Sequence, residues 1–96
     1  MSHYIILWRF TEQGIKNVKD SPQRAETFKR TIEKAGGKLI GTFYTFGEYD
    51  GVSIVEASDD MLVMSSLLSV EKQGNARTVT LKAFTYDETA KIIGSL

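Results

Sequence analysis

At 96 residues, with twelve basic and twelve acidic side chains, the chain is expected to form one domain over residues 1–96, and its zero net charge offers no electrostatic footprint for nucleic acid or anionic membranes. The absence of cysteine removes disulfides, thiolate catalysis and thiolate metal or iron–sulfur centres, which makes a cytoplasmic home the expectation. Met1 to Arg9 carries an apolar run too short for a membrane span, without a basic leader or a small-residue cleavage site, and reads as a first strand instead.

Tyr4-Ile5-Ile6-Leu7-Trp8 is apolar on both alternating faces, as a central strand covered on each side must be. Tyr4, Ile6, Trp8 and Phe10 form a bulky aromatic set, and Ile5 and Leu7 an aliphatic set ending at Arg9. Thr11 resembles an N-cap for a short helical lead-in over Glu12 to Lys19. Ser21-Pro22 then predicts a main helix, with Ser21 as N-cap and Pro22 at the first helical position. Ala25, Phe28, Ile32 and Ala35 make its apolar stripe, and Gly36-Gly37 ends it. That glycine pair follows a helix rather than opening one, so it is no phosphate loop. Lys38 to Phe46 is a second strand, and Gly41 within it marks a bulge or a close backbone approach.

Thr45-Phe46-Gly47-Glu48-Tyr49-Asp50-Gly51 follows, the stretch on which the chain turns back. Two glycines bracket three polar or ionisable side chains, and Asp-Gly between extended segments is a strong hairpin signal. Val52 to Ala57 is the third strand. Ser58-Asp59-Asp60 caps a second main helix over Asp60 to Gln73, whose apolar arc from Met61 to Val70 is wider than one sheet contact needs. Met61 and Met64 are most simply core filling, although a partner surface also explains the arc. Asn75 to Phe84 is the fourth strand, and Asp87 is expected to cap a last helix to Gly94 that carries Ala90 and Ile93 inward.

The order is therefore βαββαβ plus a C-terminal helix, a ferredoxin-like α+β arrangement with a four-stranded antiparallel sheet, strands one and three central. Both main helices fall on one face and leave the other bare. Because strand one is apolar on both sides, that bare face needs a cover, and a second copy packed sheet to sheet is the simplest one. Tyr4, Ile6 and Trp8 are expected to point into the barrel-like interior so formed.

For the turn residues two roles compete. Asp50 can bond backbone N–H groups while Tyr49 packs on the sheet end, or Tyr49, Asp50 and Glu48 can supply hydrogen bonds and acid–base chemistry at a cavity mouth. Arg77, at the start of an edge strand, is either a solvated charge or the anchor of an anionic ligand. Trp8 and Tyr44 are core or cavity wall, and Glu56 is a cap or ion-pair member. His3, the single histidine, sits beside an expected frayed terminus, and one histidine with scattered carboxylates neither builds a metal site nor gives haem an axial ligand. No metal and no cofactor are expected.

The lead-in Thr11 to Lys16, the Ser21-Pro22 start, Gly47-Glu48-Tyr49-Asp50, Val55-Glu56-Ala57 with Asp59-Asp60, and Gly74-Asn75-Ala76-Arg77-Thr78 ending in Ala83-Phe84 resemble the GYD-domain family of small bacterial proteins. Its Gly, Tyr, Asp pattern falls at Gly47, Tyr49 and Asp50, with Glu48 between. The resemblance implies the dimeric α+β barrel architecture, hence a homodimer or higher homo-oligomer, but no particular reaction. The preferred function is a dimer binding a small aromatic or anionic metabolite between paired sheets through Trp8, Tyr44, Tyr49, Asp50 and Arg77. One alternative is a cofactor-independent monooxygenase or isomerase using Glu48, Tyr49 and Asp50. Another is a structural or interaction module with a filled barrel.

Overall fold

A computed structural model describes residues 1–96. Four strands, β1 (Ser2–Phe10), β2 (Lys38–Tyr44), β3 (Gly51–Ala57) and β4 (Ala76–Ala83), form one antiparallel sheet in the order β2-β3-β1-β4. Between them run α1 (Glu12–Lys16), a 3₁₀ turn (Val18–Asp20), α2 (Ser21–Lys34) and α3 (Asp60–Glu71), and α4 (Tyr86–Gly94) ends the chain. This is the ferredoxin-like α+β fold, with β1 and β3 central. The ladder of β2 slips between Leu39 and Gly41, which confirms the bulge expected there.

Strand alternation divides β1 between two environments. Tyr4 and Ile6 are buried with Val55, Ala57, Ile32, Val63 and Leu67 beneath α2 and α3. Trp8, two residues on, shares that face. The expectation that Tyr4, Ile6 and Trp8 point to the bare face is therefore overturned. The helices bring short side chains to the layer, among them Ala25, Val63 and Ser66, so the strand supplies the bulk that fills the gap. The aliphatic set takes the bare face. Ile5 and Leu7 pair there with Ile54 and Val52 on one side and with Leu81 and Val79 on the other, and Phe43 lies opposite Val52. Phe43, Val79 and Leu81 are about half exposed.

Several local expectations need correction. Ser21 is inside α2 rather than capping it: the 3₁₀ turn runs straight in, Asp20 is left near helical angles with no side-chain cap, and the Ser21 hydroxyl meets the Tyr44 hydroxyl at 2.7 Å. Such a cap requires an extended residue, which the turn does not provide. The cap of α4 is Thr85, not Asp87. Thr85 is extended, its hydroxyl accepts from the Glu88 N–H, and the Glu88 carboxylate accepts from the Thr85 N–H, a reciprocal capping box. Ala90 and Ile93 are not inward, because α4 buries no residue against its own chain. Met61 and Met64 are not core filling: α3 buries Val63, Ser66 and Leu67 and turns both methionines and Leu68 to solvent. Asp59 caps α3 by accepting from the Met61 and Leu62 N–H groups. His3 does not fray; it is in the β1 ladder with Nε2 3.5 Å from Glu56.

At the α3 end of the sheet the Tyr4 hydroxyl donates to Asp60, and Lys82 Nζ lies 3.1 Å from the same carboxylate oxygen. The hydrogen bond from Tyr4, followed by that from Lys82, holds the Asp60 carboxyl below its ordinary value. The same contacts with Asp60 hold Tyr4 and Lys82 above theirs. Bonds from the Thr85 backbone and side chain likewise lower Glu88. Carboxyls depressed in the folded state stabilise it above their unfolded values and lose that contribution as pH falls through the folded ones. Urea unfolding followed from pH about 6 to about 2 should show stability declining on the acid side, with a shallower decline in Asp60→Asn; an unchanged acid limb in that variant would exclude Asp60 from the pH dependence.

Candidate functional site

The loop Thr45–Asp50 is longer than a tight hairpin turn and is tied to β1 through its second half, Glu48 to Asp50. Gly47 adopts φ +102°, a conformation other residues rarely take. The Thr45 N–H donates to the Asp50 carbonyl at 2.9 Å and its hydroxyl to the Tyr49 carbonyl at 2.7 Å. The Asp50 N–H donates to the Trp8 carbonyl at 2.9 Å, and its carboxylate accepts from the Phe10 N–H at 2.8 Å. Arg9 reaches over the loop, with its guanidinium 4.8 Å from the Tyr49 ring centre and 3.3 Å from a Glu48 carboxylate oxygen. Each of Glu48, Tyr49 and Asp50 thus has a partner on β1. The Asp50 carboxylate does bond a backbone N–H, on the neighbouring strand rather than within the turn.

Gly51 serves contact rather than turning. A Cβ there would lie 1.9 Å from a Trp8 ring atom, so the indole packs flush on the backbone of β3. Phe10 and Tyr44 stand edge-on to Trp8, with centroids at 5.4 Å and 5.2 Å. These rings form one wall of a cavity of about 210 Å³ between the sheet and α2 and α3. Phe28 and Arg24 of α2 line it from above. Ser21, Ser53 and Ser66 also line it, each at least 94% buried.

The five ligand residues expected from the sequence therefore do not share one site. Trp8 and Tyr44 meet in the cavity, Tyr49 and Asp50 belong to the loop, and Arg77 lies opposite Arg9 on the bare face, without an ion pair. No group of three His, Asp or Glu side chains converges as a metal site would require. Arg24 and the three serines were missed. Ser53 carried a signal, because it alternates with Val55 and Ala57 on the inward side of β3, where an apolar residue is the rule.

The sequence pattern of the GYD domain matches residues 4–93. The chain belongs to the GYD domain family. It is similar to a protein of Thermus thermophilus named glutamine synthetase and cystathionine beta-lyase binding protein, 29% identical over 84 residues, or 86% of this chain and 88% of that one. It is also similar in structure to the crystal structure of TTHA0845 from Thermus thermophilus, with a TM-score of 0.52 and 26% identity over 88% of this chain and 95% of the other. In this GYD domain two of the three residues that spell the pattern, Tyr49 and Asp50, fasten the loop to β1, and the third, Gly47, supplies the positive-φ turn before them.

That fastening has a measurable cost of removal. Asp50→Ala leaves the Phe10 N–H without its acceptor and should lower unfolding free energy by about 1–3 kcal/mol. Gly51→Ala must displace Trp8 and should cost about 1–3 kcal/mol, with a changed near-ultraviolet circular dichroism signal from the single tryptophan. Urea midpoints equal to wild type in both variants would contradict the fastening role.

Proposed function

We propose that this GYD domain is a self-associating protein-interaction module: a second copy covers the bare sheet face, and the assembled dimer holds other proteins. The observation that carries this reading is the apolar face formed by Ile5, Leu7, Ile54 and their neighbours on β2 and β4, which no helix of the chain covers. Surface area supports it. The chain exposes 6621 Å² at a mass of 10.7 kDa, where a compact monomer of that mass exposes about 5,500 Å². The excess of about 1,100 Å² is enough for one side of a standard interface, about 800 Å² per partner. The radius of gyration is 14.4 Å, against about 12.5 Å for a compact chain of this length.

Helix α4 contributes to the same reading. Nine residues are too few to be stably helical alone in water, yet Tyr86, Ile92, Ile93 and the adjacent Phe84 and Leu96 are exposed by half or more. An amphipathic arm of this kind gains its packing from the second copy. Met61, Met64 and Leu68 on the outer side of α3 form an apolar patch that sheet pairing leaves open to a different partner, and flexible methionines adapt to such contacts. The name of the Thermus relative, a binding protein of two enzymes, supports a holding role here.

A metabolite held between the paired sheets, or acid–base catalysis by the loop, has less support. The centre of the bare face is aliphatic, and Glu48, Tyr49 and Asp50 are already engaged with β1.

Native mass spectrometry and sedimentation should show a dimer for the wild type and a folded monomer for Leu7→Glu, with far-ultraviolet circular dichroism as the check on folding. A monomeric wild type at micromolar concentration, or a Leu7→Glu variant that remains dimeric, would overturn the paired-sheet reading.

A further inference from the structure

We propose that the cavity between the sheet and α2 and α3 is a binding site for a small aromatic carboxylate of about one ring. It lies on the opposite side of the sheet from the bare face, so this proposal and the paired-sheet reading stand or fall separately.

Size sets the first limit. Pockets for drug-sized ligands run from roughly 300 Å³ upward, and this one is about 210 Å³, which admits a single ring with a short substituent and excludes a nucleotide. The walls set the second. Trp8 with Phe10 and Tyr44 set edge-on to it, and Phe28 on the helix side, form a slot whose faces and edges suit a flat ring.

Hydroxyl groups set the third. Ser21, Ser53 and Ser66 are buried where alanine or valine would pack without polar atoms. Ser66 donates to the Leu62 carbonyl, so it is satisfied. Ser21 is joined only to the Tyr44 hydroxyl, at 2.7 Å, and Ser53 only to the Thr42 hydroxyl, at 3.1 Å. Each such pair holds two hydroxyl hydrogens and uses one between its members, which leaves one donor per pair for an acceptor in the cavity they line. Charge sets the fourth. Arg24 is the one charged side chain in the lining, where neither Asp nor Glu is present. Its guanidinium gives one N–H to the Asn17 carbonyl at 3.0 Å and keeps the rest of its donor fork for an anion. An apolar slot with spare hydroxyl donors and an unopposed guanidinium matches a ring bearing a carboxylate.

The test uses the indole N–H resonance of Trp8, the single tryptophan, in proton–nitrogen spectra of the full chain titrated with benzoate, 4-hydroxybenzoate and phenylacetate. At least one should shift that resonance saturably, together with amides of α2. The neutral isostere of the best probe, 4-hydroxybenzyl alcohol for 4-hydroxybenzoate, and the variant Arg24→Gln should each weaken binding about tenfold or more. Ala25→Leu, which fills the cavity from its α2 wall, should abolish the shift while leaving the remaining spectrum dispersed. Absence of a saturable shift with all three acids, or equal binding by the neutral isostere and by Arg24→Gln, would overturn the proposal.

Discussion

A central strand that is apolar on both faces constrains everything else in this molecule. β1 makes two ladders, to β3 and β4, so neither edge is free, and its side chains alternate between two surfaces that both need to leave water. The chain has helices enough for one of them. Tyr4 and Ile6 are covered by α2 and α3, and Ile5 and Leu7 with their cross-strand partners are not. A residue pair such as Leu7 and Val79, set side by side on a half-wet sheet, stabilises the fold much more when a second apolar surface meets it. The unmet half of β1 is what links the fold to the proposed association.

The same strand organises the loop that gives the family its pattern. Its last residues, Trp8, Arg9 and Phe10, supply a carbonyl, a guanidinium and an amide to Asp50, Tyr49, Glu48 and Asp50 again. Because the loop is held at the strand end, Gly51 enters β3 close enough for the Trp8 ring to lie on its backbone. Trp8 then forms the wall of the helix-side cavity. The tyrosine and aspartate of the pattern are in this way held on β1 beside the aromatic slot and do not line it.

Much of this was legible in the residues. Hydrophobic alternation, the glycine-terminated helices and the caps at Thr11 and Asp59 were enough to order the elements and place β1 and β3 at the centre. Which face each β1 set takes was not legible, because period-two alternation says that Tyr4, Ile6 and Trp8 share a face without saying which, and both sets are apolar. The stripe of α4 shows that Ile93 seeks burial but not in which chain. Capping was read one or two residues off at Ser21 and Asp87 for a local reason: several hydroxyl and carboxyl side chains stand near each helix start, and backbone angles decide among them. Arg24 and Ser66 escaped notice because their meaning depends on what lies across the cavity, a relation between residues far apart in the chain.

The most direct test of the paired-sheet account is an isotope-filtered nuclear Overhauser experiment on a mixture of labelled and unlabelled chains. The account predicts intermolecular cross-peaks among the methyl groups of Leu7, Ile54, Val79 and Leu81, which face the open side of the sheet. A mixed sample with no intermolecular cross-peaks at these methyls, or with cross-peaks confined to Met61 and Met64 on α3, would contradict it.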